Sequence, residues 1–245
     1  MGMEIKCLGS GDAFGSGGRF QPCFYLSSEN FRFLLDCGTS SLIAMKRFGV
    51  DPYGIDLILT SHLHGDHFGG IPFFILDGQF RRQSRPLTVA GPPGLAARVN
   101  QAMEVLFPGS SKIQRKFTTE FLELPARKKT TIGPIEVTPY SVVHASGDTP
   151  YALRIEFQDK VIAYSGDTEW TEALVEVAKG ADLFICEAYY SERKIKYHLS
   201  YQTLMEQKKR LDCRRLVLYH MSEEMLQKLP GLEGEWMEDG KSILL

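Results

Sequence analysis

The sequence predicts an α/β (α+β) protein in which two β-sheets pack together and are covered by helices. The chain has 245 residues, of which 43% are hydrophobic, and this is enough for one large core. Strand-like apolar segments recur in both halves, and segments with helical periodicity lie between them. No repeat of about 20–50 residues is visible. We therefore expect a single domain over residues 1–245.

The N-terminal half is predicted from apolar segments that end at turn residues. Residues 4–8 alternate between polar and apolar side chains, residues 24–26 follow a glycine-rich loop, and residues 31–35 end at Asp36. Apolar side chains at helical spacing predict a helix over residues 39–49, which a glycine ends. The remaining predicted elements are a buried strand at 55–60, a helix at 69–83, a strand at 87–90 and a helix at 94–106.

The C-terminal half repeats this logic. Apolar segments separated by turn residues predict strands at 117–122, 135–143, 151–157, 161–164, 183–186, 216–219 and 240–245. Helices are predicted at 169–179 and 201–210. Strands and helices are thus interspersed in both halves, as two sheets covered by helices require.

Three histidines and one aspartate are crowded into residues 62–67, directly after the strand at 55–60. They are His62, His64, Asp66 and His67. The chain has only six histidines, so this run holds half of them. Adjacent imidazoles desolvate one another and repel when protonated, and few purposes other than metal binding justify such crowding.

Three further candidate ligands each follow one of the predicted strands: His144, Asp167 and His220. Side chains at the carboxyl ends of different strands can converge on one edge of a sheet. Neutral imidazoles and carboxylates suit zinc, iron, manganese or nickel. Seven ligands are too many for one tetrahedral ion but suit two ions that share a carboxylate. A hydroxide can bridge two such ions, because the ions lower the pKa of the bound water from which it forms to about 7.

The HxHxDH run at 62–67, followed by His144, Asp167 and His220, resembles the metallo-β-lactamase fold hydrolases. The resemblance covers nearly the whole chain and includes the strand end Leu34-Leu35-Asp36-Cys37-Gly38. Within that superfamily the chain looks most similar to ribonuclease Z and related phosphodiesterases, through residues 61–70, 165–168, 172–175, 181–188 and 215–220. The resemblance implies a four-layer αββα sandwich and a dinuclear metal-dependent hydrolase that cleaves a phosphodiester with a metal-bridging hydroxide.

The resemblance also implies a role for each ligand. One ion would be held by His62, His64 and His144, and the other by Asp66, His67 and His220, with Asp167 between them. Asp66 would in addition orient or deprotonate the nucleophile. We expect two divalent transition metal ions, zinc first, while manganese, iron and nickel are also compatible with these ligands.

A catalytic acid is suggested by the same resemblance. His198, in His198-Leu199-Ser200, matches the histidine of a His-Ser-Thr motif of ribonuclease Z, where it assists at the scissile phosphate. The second and third positions depart from that motif. Glu187 matches a glutamate that orients the histidine, and Asp36 is interpreted as a residue that fixes the histidine loop.

The substrate is expected to be a small or medium-sized phosphodiester. Ribonuclease Z usually carries a long basic arm that grips tRNA between the fourth histidine and the bridging aspartate. Here His144 and Asp167 are only 23 positions apart, and the net charge is -2 with a pI near 6.3. RNA is therefore not favoured, because a large polyanion needs a basic footprint. An open groove edged by Arg81-Arg82 would argue for RNA instead.

The surroundings of the site are predicted only in outline. The glycine-rich segment 9–18 lacks the ending of a phosphate-binding loop, so we interpret it as a turn or as a rim over the site. Arg19, Phe20, Phe73 and Tyr190 are candidate rim residues, with Arg19 available for an anionic substrate.

The chain is expected to be cytoplasmic, with no membrane partner. No signal peptide and no apolar run of membrane-spanning length is visible, and the five scattered cysteines fit buried free thiols. A homodimer is suggested by the resemblance alone. Two alternatives to a phosphodiesterase stay open: hydrolysis of a thioester, lactone or amide on the same metal pair, and a non-catalytic interaction protein that keeps metals for stability.

Overall fold

The structure is a computed structural model that describes residues 2–81 and 85–245. Arg82 and the end of the helix predicted at 69–83 therefore lie outside the described residues. The described strands are β1 (Glu4–Gly9), β2 (Cys23–Ser27), β3 (Arg32–Leu35), β4 (Leu57–Leu59), β5 (Leu87–Gly91), β6 (Thr119–Glu123), β7 (Thr130–Ile132), β8 (Ile135–Ser141), β9 (Tyr151–Phe157), β10 (Lys160–Tyr164), β11 (Leu183–Glu187), β12 (Leu216–Tyr219), β13 (Glu235–Trp236) and β14 (Ser242–Leu244). The described helices are α1 (Ser41–Arg47), α2 (Gly65–Phe68), α3 (Ile71–Arg81), α4 (Leu95–Leu106), α5 (Ala173–Ala178), α6 (Tyr201–Gln207) and α7 (Glu223–Lys228).

The strands form two mixed sheets with matching plans. The first has the order β14-β1-β2-β3-β4-β5-β6 and the second the order β13-β12-β11-β10-β9-β8-β7. In the first sheet the strands from β3 to β6 are parallel, and in the second those from β10 to β13 are parallel. The other strands pair antiparallel. Each half of the chain thus builds most of one sheet.

The core lies in three layers of apolar side chains. One cluster fills the space between the two sheets, a second joins the first sheet to α1, α3 and α4, and a third joins the second sheet to α5, α6 and α7. This arrangement confirms the predicted sandwich of two sheets covered by helices. Between the sheets, the rings of Phe24, Tyr164 and Tyr219 contact one another at centroid distances of 5.2–5.8 Å, directly below the strand ends that carry the candidate ligands.

The directions of the strands bring the candidate ligands to one edge. β8 and β10 both pair antiparallel with β9, so they run in the same direction, and β11 and β12 run parallel to β10. The first sheet meets this edge through the loop after β4, where the carbonyl of Ser61 accepts a hydrogen bond from Tyr151 N at 3.0 Å. Loops from both sheets therefore meet in one place.

Most predicted elements are present, and the differences have local causes. The helix predicted at 169–179 begins only at Ala173, because the backbone of Thr168 and Glu169 bonds to other segments. The structure adds α2, α7 and the short strands β7 and β13, which were not predicted. The five cysteines are free, and four of them are buried. Among the described residues, no helix has the length and apolar character needed to cross a membrane.

Candidate metal centre

Four candidate ligands, His62, His144, Asp167 and His220, come shortly after a strand, whereas Asp66 and His67 lie in α2. His62 comes three residues after β4, Asp167 three residues after β10, and His220 directly after β12. His220 has a φ of 57°, and its N–H donates to the carbonyl of Ser10 at 2.9 Å. The turns therefore aim side chains outward from the sheet edge rather than along the strands.

Three histidines form the first donor group. One ring nitrogen each from His62, His64 and His144 lies within 4.8 Å of the others. Nε2 of His64 lies 3.1 Å from the carbonyl oxygen of Ala145, and Nδ1 of His144 lies 2.7 Å from that of Tyr197. A carbonyl oxygen only accepts, so these two nitrogens carry the hydrogens.

The remaining nitrogens of this first group face one another. His64 Nδ1 and His144 Nε2 are 3.0 Å apart, and His62 Nε2 is buried without a hydrogen-bond partner. Two nitrogen lone pairs at this distance repel unless a cation or a proton lies between them. Burial lowers the pKa of His62, and it lowers that of His144 to about 4, so both imidazoles are neutral at pH 7. The group fits a transition metal ion.

Two carboxylates and two histidines form the second donor group. Atoms of Asp66, His67, Asp167 and His220 lie within 4.8 Å of one another. His67 Nε2 is 3.3 Å from Asp66 Oδ2 and from Asp167 Oδ1, and His220 Nε2 is 3.3 Å from an oxygen of each aspartate. His67 Nε2 and Asp167 Oδ1 are nevertheless buried without a well-directed hydrogen bond. Orphaned buried donor atoms of this kind fit a cation.

The charges of the second group are strongly coupled. Burial alone would raise the pKa of Asp66 and Asp167, but the attraction of His67 and His220 holds both well below the usual range. Burial alone would lower the pKa of His67 and His220, but Asp167 raises both. Protons on the two imidazoles thus balance the carboxylates, and a divalent cation could take their place.

The carboxylate of Asp36 fixes the position of the histidine run at residues 62–67. Asp36 follows β3, has a φ of 55° and is fully buried. Its carboxylate accepts hydrogen bonds from Ser61 N (2.7 Å), Ser61 Oγ (2.8 Å), Tyr164 Oη (2.6 Å) and His67 Nδ1 (2.7 Å). The last of these leaves His67 Nε2 free for the donor group, which is the usual role of a carboxylate behind a histidine ligand.

His198 lies beside both groups and contacts Glu187. Its Nδ1 is 3.1 Å from Oε2 of the fully buried Glu187 and 3.9 Å from Asp167 Oδ2. Burial would lower the pKa of His198, but the Glu187 carboxylate outweighs this and raises the pKa to about 9. The structure thus brings together all nine residues that the sequence singled out as ligands or catalytic groups.

Sequence reasoning missed an aromatic neighbour of His198. The ring of Tyr189 stacks on His198 at a centroid distance of 4.7 Å and an angle of 27°. The predicted rim residue was Tyr190, whose ring instead lies 5.0 Å from the guanidinium of Arg193. Both tyrosines follow β11, and successive side chains along a strand point in opposite directions. Only this alternation could have indicated which of the two tyrosines lies beside His198.

The other three candidate rim residues have partners of their own. Nη1 of Arg19 donates to Met237 O at 2.8 Å and to Ser10 Oγ at 3.2 Å. Phe20 packs against Phe48, and Phe73 packs against Phe107. These contacts give the three side chains structural roles, and they leave the anion-binding role of Arg19 without support.

Comparison with known sequences gives consistent matches. A model of the family described as anti-Pycsar protein Apyc1 matches residues 3–236. A ribonuclease Z from Agathobacter rectalis is 24% identical over 277 residues, covering 92% of this chain and 89% of the relative. The predicted similarity to ribonuclease Z is thereby confirmed.

Comparison with solved structures extends over the full chain. Human tRNase Z, short form, superposes with a TM-score of 0.81 at 23% identity, covering 98% of both chains. The metallo-β-lactamase fold protein YhfI from Bacillus subtilis superposes with a TM-score of 0.77 at 20% identity, covering 100% of both. The predicted metallo-β-lactamase fold is confirmed.

Proposed function

The chain belongs to the anti-Pycsar protein Apyc1 family and is a metal-dependent hydrolase, and from this premise we propose that it cleaves a small or medium-sized phosphodiester on a two-metal centre. The observation that carries the proposal is the pair of donor groups joined by Asp167. That carboxylate lies within 4.8 Å of the donor atoms of His67 and His220, and also of those of His144 and His198. We assign the seven residues of the two groups to two ions, with Asp167 shared.

When bound, two such ions would supply a water of lowered pKa and neutralise charge on the phosphoryl oxygens. Zinc is the ion we propose first, because the donors are imidazoles and carboxylates with no thiolate among them. Asp66 belongs to the second group, with His67, Asp167 and His220. We assign it a second role, in which its carboxylate orients or deprotonates the nucleophile.

His198 is the proposed proton donor to the leaving oxygen. Its Nδ1 hydrogen is directed to Glu187, so Nε2 is the nitrogen left to face a substrate. The buried Glu187 carboxylate keeps the imidazole protonated at neutral pH, which a donor requires. This pair favours a phosphodiester over a thioester, since an alkoxide leaving from phosphorus needs a proton and a thiolate leaving from a thioester does not.

The short span between His144 and Asp167 limits the size of the substrate that we propose. Those positions are used by β9, β10 and their connections, so no additional arm is built there. With a net charge of -2, the chain also lacks the overall positive field that steers a polyanion. Both points support a small phosphodiester in preference to RNA.

The proposal is tested by metal analysis and by hydrolysis of bis(p-nitrophenyl) phosphate. The purified protein should contain close to two transition metal ions and release p-nitrophenol. His64→Ala removes one donor of the first group and should lower kcat/KM by roughly 100-fold or more. Full activity in that variant, or hydrolysis of thioester and lactone substrates with none of phosphodiesters, would contradict the proposal.

A further inference from the structure

Three consecutive residues connect both donor groups to the proposed proton donor. Asp167 belongs to the second group, Thr168 N–H donates to Glu187, and Thr168 Oγ1 accepts from Val143 N at 3.1 Å. The N–H of Glu169 donates to the carbonyl of Val143 at 3.0 Å, directly before His144. Both backbone groups of Val143, the residue directly before His144, are therefore tied to this short segment.

The side chain of Glu169 extends the connection to a turn at residues 195–198. Glu169 Oε1 accepts a hydrogen bond from Tyr197 N at 3.0 Å, and Tyr197 O accepts from His144 Nδ1 at 2.7 Å. The next residue is His198. One peptide segment thus orients a histidine of the first donor group and carries the proposed proton donor.

Tyr197 adopts a backbone conformation that it does not favour intrinsically. Its φ is 73°, in the left-handed region where a Cβ is crowded by the carbonyl. Its side chain is 41% exposed, so packing of the ring does not account for this conformation. The hydrogen bonds on the two sides of Tyr197, together with the antiparallel bridge between Ile195 and His198, hold it there.

The turn at residues 195–198 lies at the protein surface, where Lys196 and Tyr197 are exposed and Ile195 and His198 are half-buried. An open pocket of about 170 Å³ lies beside the turn, and Glu169, Trp170, Ile195 and His198 are among the residues that line it. A turn at the surface gains little from core packing and depends on its hydrogen bonds for a defined position.

We propose that Glu169 is a positioning residue that, by holding Tyr197, sets the orientation of His144 and the place of His198 together. The inference rests on the proposed function, in which His144 binds metal and His198 donates a proton. Metal binding at the first group then orders the turn, because a bound ion fixes His144 and with it the carbonyl of Tyr197. Loss of the Glu169 carboxylate loosens both at once.

The first experiment measures zinc affinity by competition with a chromophoric chelator. Glu169→Ala should lower the affinity for one of the two zinc ions by roughly 10–100-fold. This is the usual effect of removing a group that orients a histidine ligand. Glu169→Gln keeps a side-chain oxygen that can accept from Tyr197 N, and it should stay within roughly 3-fold of the original chain. Glu192→Ala, which removes an exposed carboxylate from the same segment, is the matched control.

The second experiment follows hydrogen exchange of residues 195–198 in the original chain, so it does not depend on a variant that folds. Zinc added to the metal-free protein should slow exchange of the Tyr197 amide several-fold, although this residue contributes no donor atom to the metal groups. Glu169→Ala should abolish that response. If zinc does not change the exchange rate of the Tyr197 amide, the proposed Glu169–Tyr197–His144 connection is wrong. Equal losses of zinc affinity in Glu169→Ala and Glu169→Gln would also overturn it.

These readouts separate the inference from the proposed function. Zinc affinity and exchange report the Glu169–Tyr197–His144 connection whether or not any phosphodiester is cleaved. If phosphodiesters are cleaved while the connection is absent, the inference fails alone. If zinc orders the turn but no phosphodiester is cleaved, the proposed function fails and the inference stands for whatever reaction the centre performs.

Discussion

His198 combines features that a proton donor needs and a surface histidine does not. Glu187 holds Nδ1 at 3.1 Å, and Tyr189 stacks on the ring at 4.7 Å. The imidazole therefore has one orientation, and its pKa of about 9 keeps it charged at neutral pH. Two contacts from one strand end, β11, thus fix both the direction and the charge of the group.

Replacement of His198 by alanine should act on the leaving group and not on the metals. For an alkyl phosphodiester, whose leaving alkoxide needs a proton, we expect kcat to fall by roughly 100-fold or more. For bis(p-nitrophenyl) phosphate, whose leaving group is a stable anion, the loss should be much smaller. Rates measured against leaving-group pKa, together with zinc content, test this. Equal losses for both substrates would contradict the role.

Asp36 shows how one buried carboxylate can position a ligand and stabilise the fold. Its four hydrogen bonds come from the strand end that precedes the histidine run, from His67 itself and from Tyr164 on the second sheet. Every partner is a donor, so only a group that accepts at both oxygens satisfies them.

Asp36→Asn replaces one of the two accepting oxygens with an amide nitrogen, which would face hydrogen-bond donors at that position. We expect the free energy of unfolding of the metal-free protein to fall by about 1–3 kcal/mol and zinc affinity to fall by roughly 10–100-fold. Urea unfolding and chelator competition measure the two effects. Asp159→Asn is the matched control, because Asp159 also has a left-handed φ, of 58°, but is exposed. Similar losses in both variants would assign the effect to the backbone instead.

At the scale of elements, the backbone of the loop after β3 lies unusually close to the backbone of the histidine run at residues 62–67. A Cβ added to Gly38 would lie 2.3 Å from the carbonyl oxygen of Asp66, and one added to Gly70 would lie 2.2 Å from that of Gly38. Cys37 N also donates to His67 O at 2.7 Å. The loop after β3 and the loop after β4 therefore fit together only because glycine occupies these positions.

Gly38→Ala should displace the histidine run. The added methyl group cannot avoid the Asp66 carbonyl without a shift of backbone, so we expect a loss of about 1–3 kcal/mol in stability and a weaker zinc complex. Gly65→Ala, in α2 of the same run, has open space around its Cβ and should keep the original stability. Thermal unfolding and zinc titration of the two variants provide the comparison, and equal behaviour would show that the close approach is not limiting.

The same elements show what a sequence can and cannot predict. Apolar segments that stop at His62, His144, Asp167 and His220 indicate strand ends, so their convergence could be expected from topology. Nothing in the sequence pairs Glu169 with Tyr197, because such a contact between segments of the same half depends on the turn at 195–198, which has no apolar pattern. The choice between Tyr189 and Tyr190 also required the structure, since adjacent identical side chains give no signal.

At the scale of the whole molecule, the candidate centre joins the two halves of the chain. His62, His64, Asp66 and His67 follow β4 of the first sheet, whereas His144, Asp167 and His220 follow strands of the second. Each donor group takes residues from both halves. Metal binding should therefore stabilise the packing of one sheet against the other in addition to serving chemistry, because a ligand that binds only the native state adds to its stability.

Metal removal should accordingly lower the melting temperature of the protein. Free zinc at about 1,000 times its Kd contributes about 4 kcal/mol, which corresponds to roughly 8–16 °C for a chain of this length. Thermal unfolding with and without a chelator measures the shift, and added zinc should restore it. His144→Ala, which lacks a donor of the first group, should show a smaller shift. A melting temperature that does not respond to verified removal of metal would mean that the two sheets hold together without the centre, and that its donors serve chemistry alone.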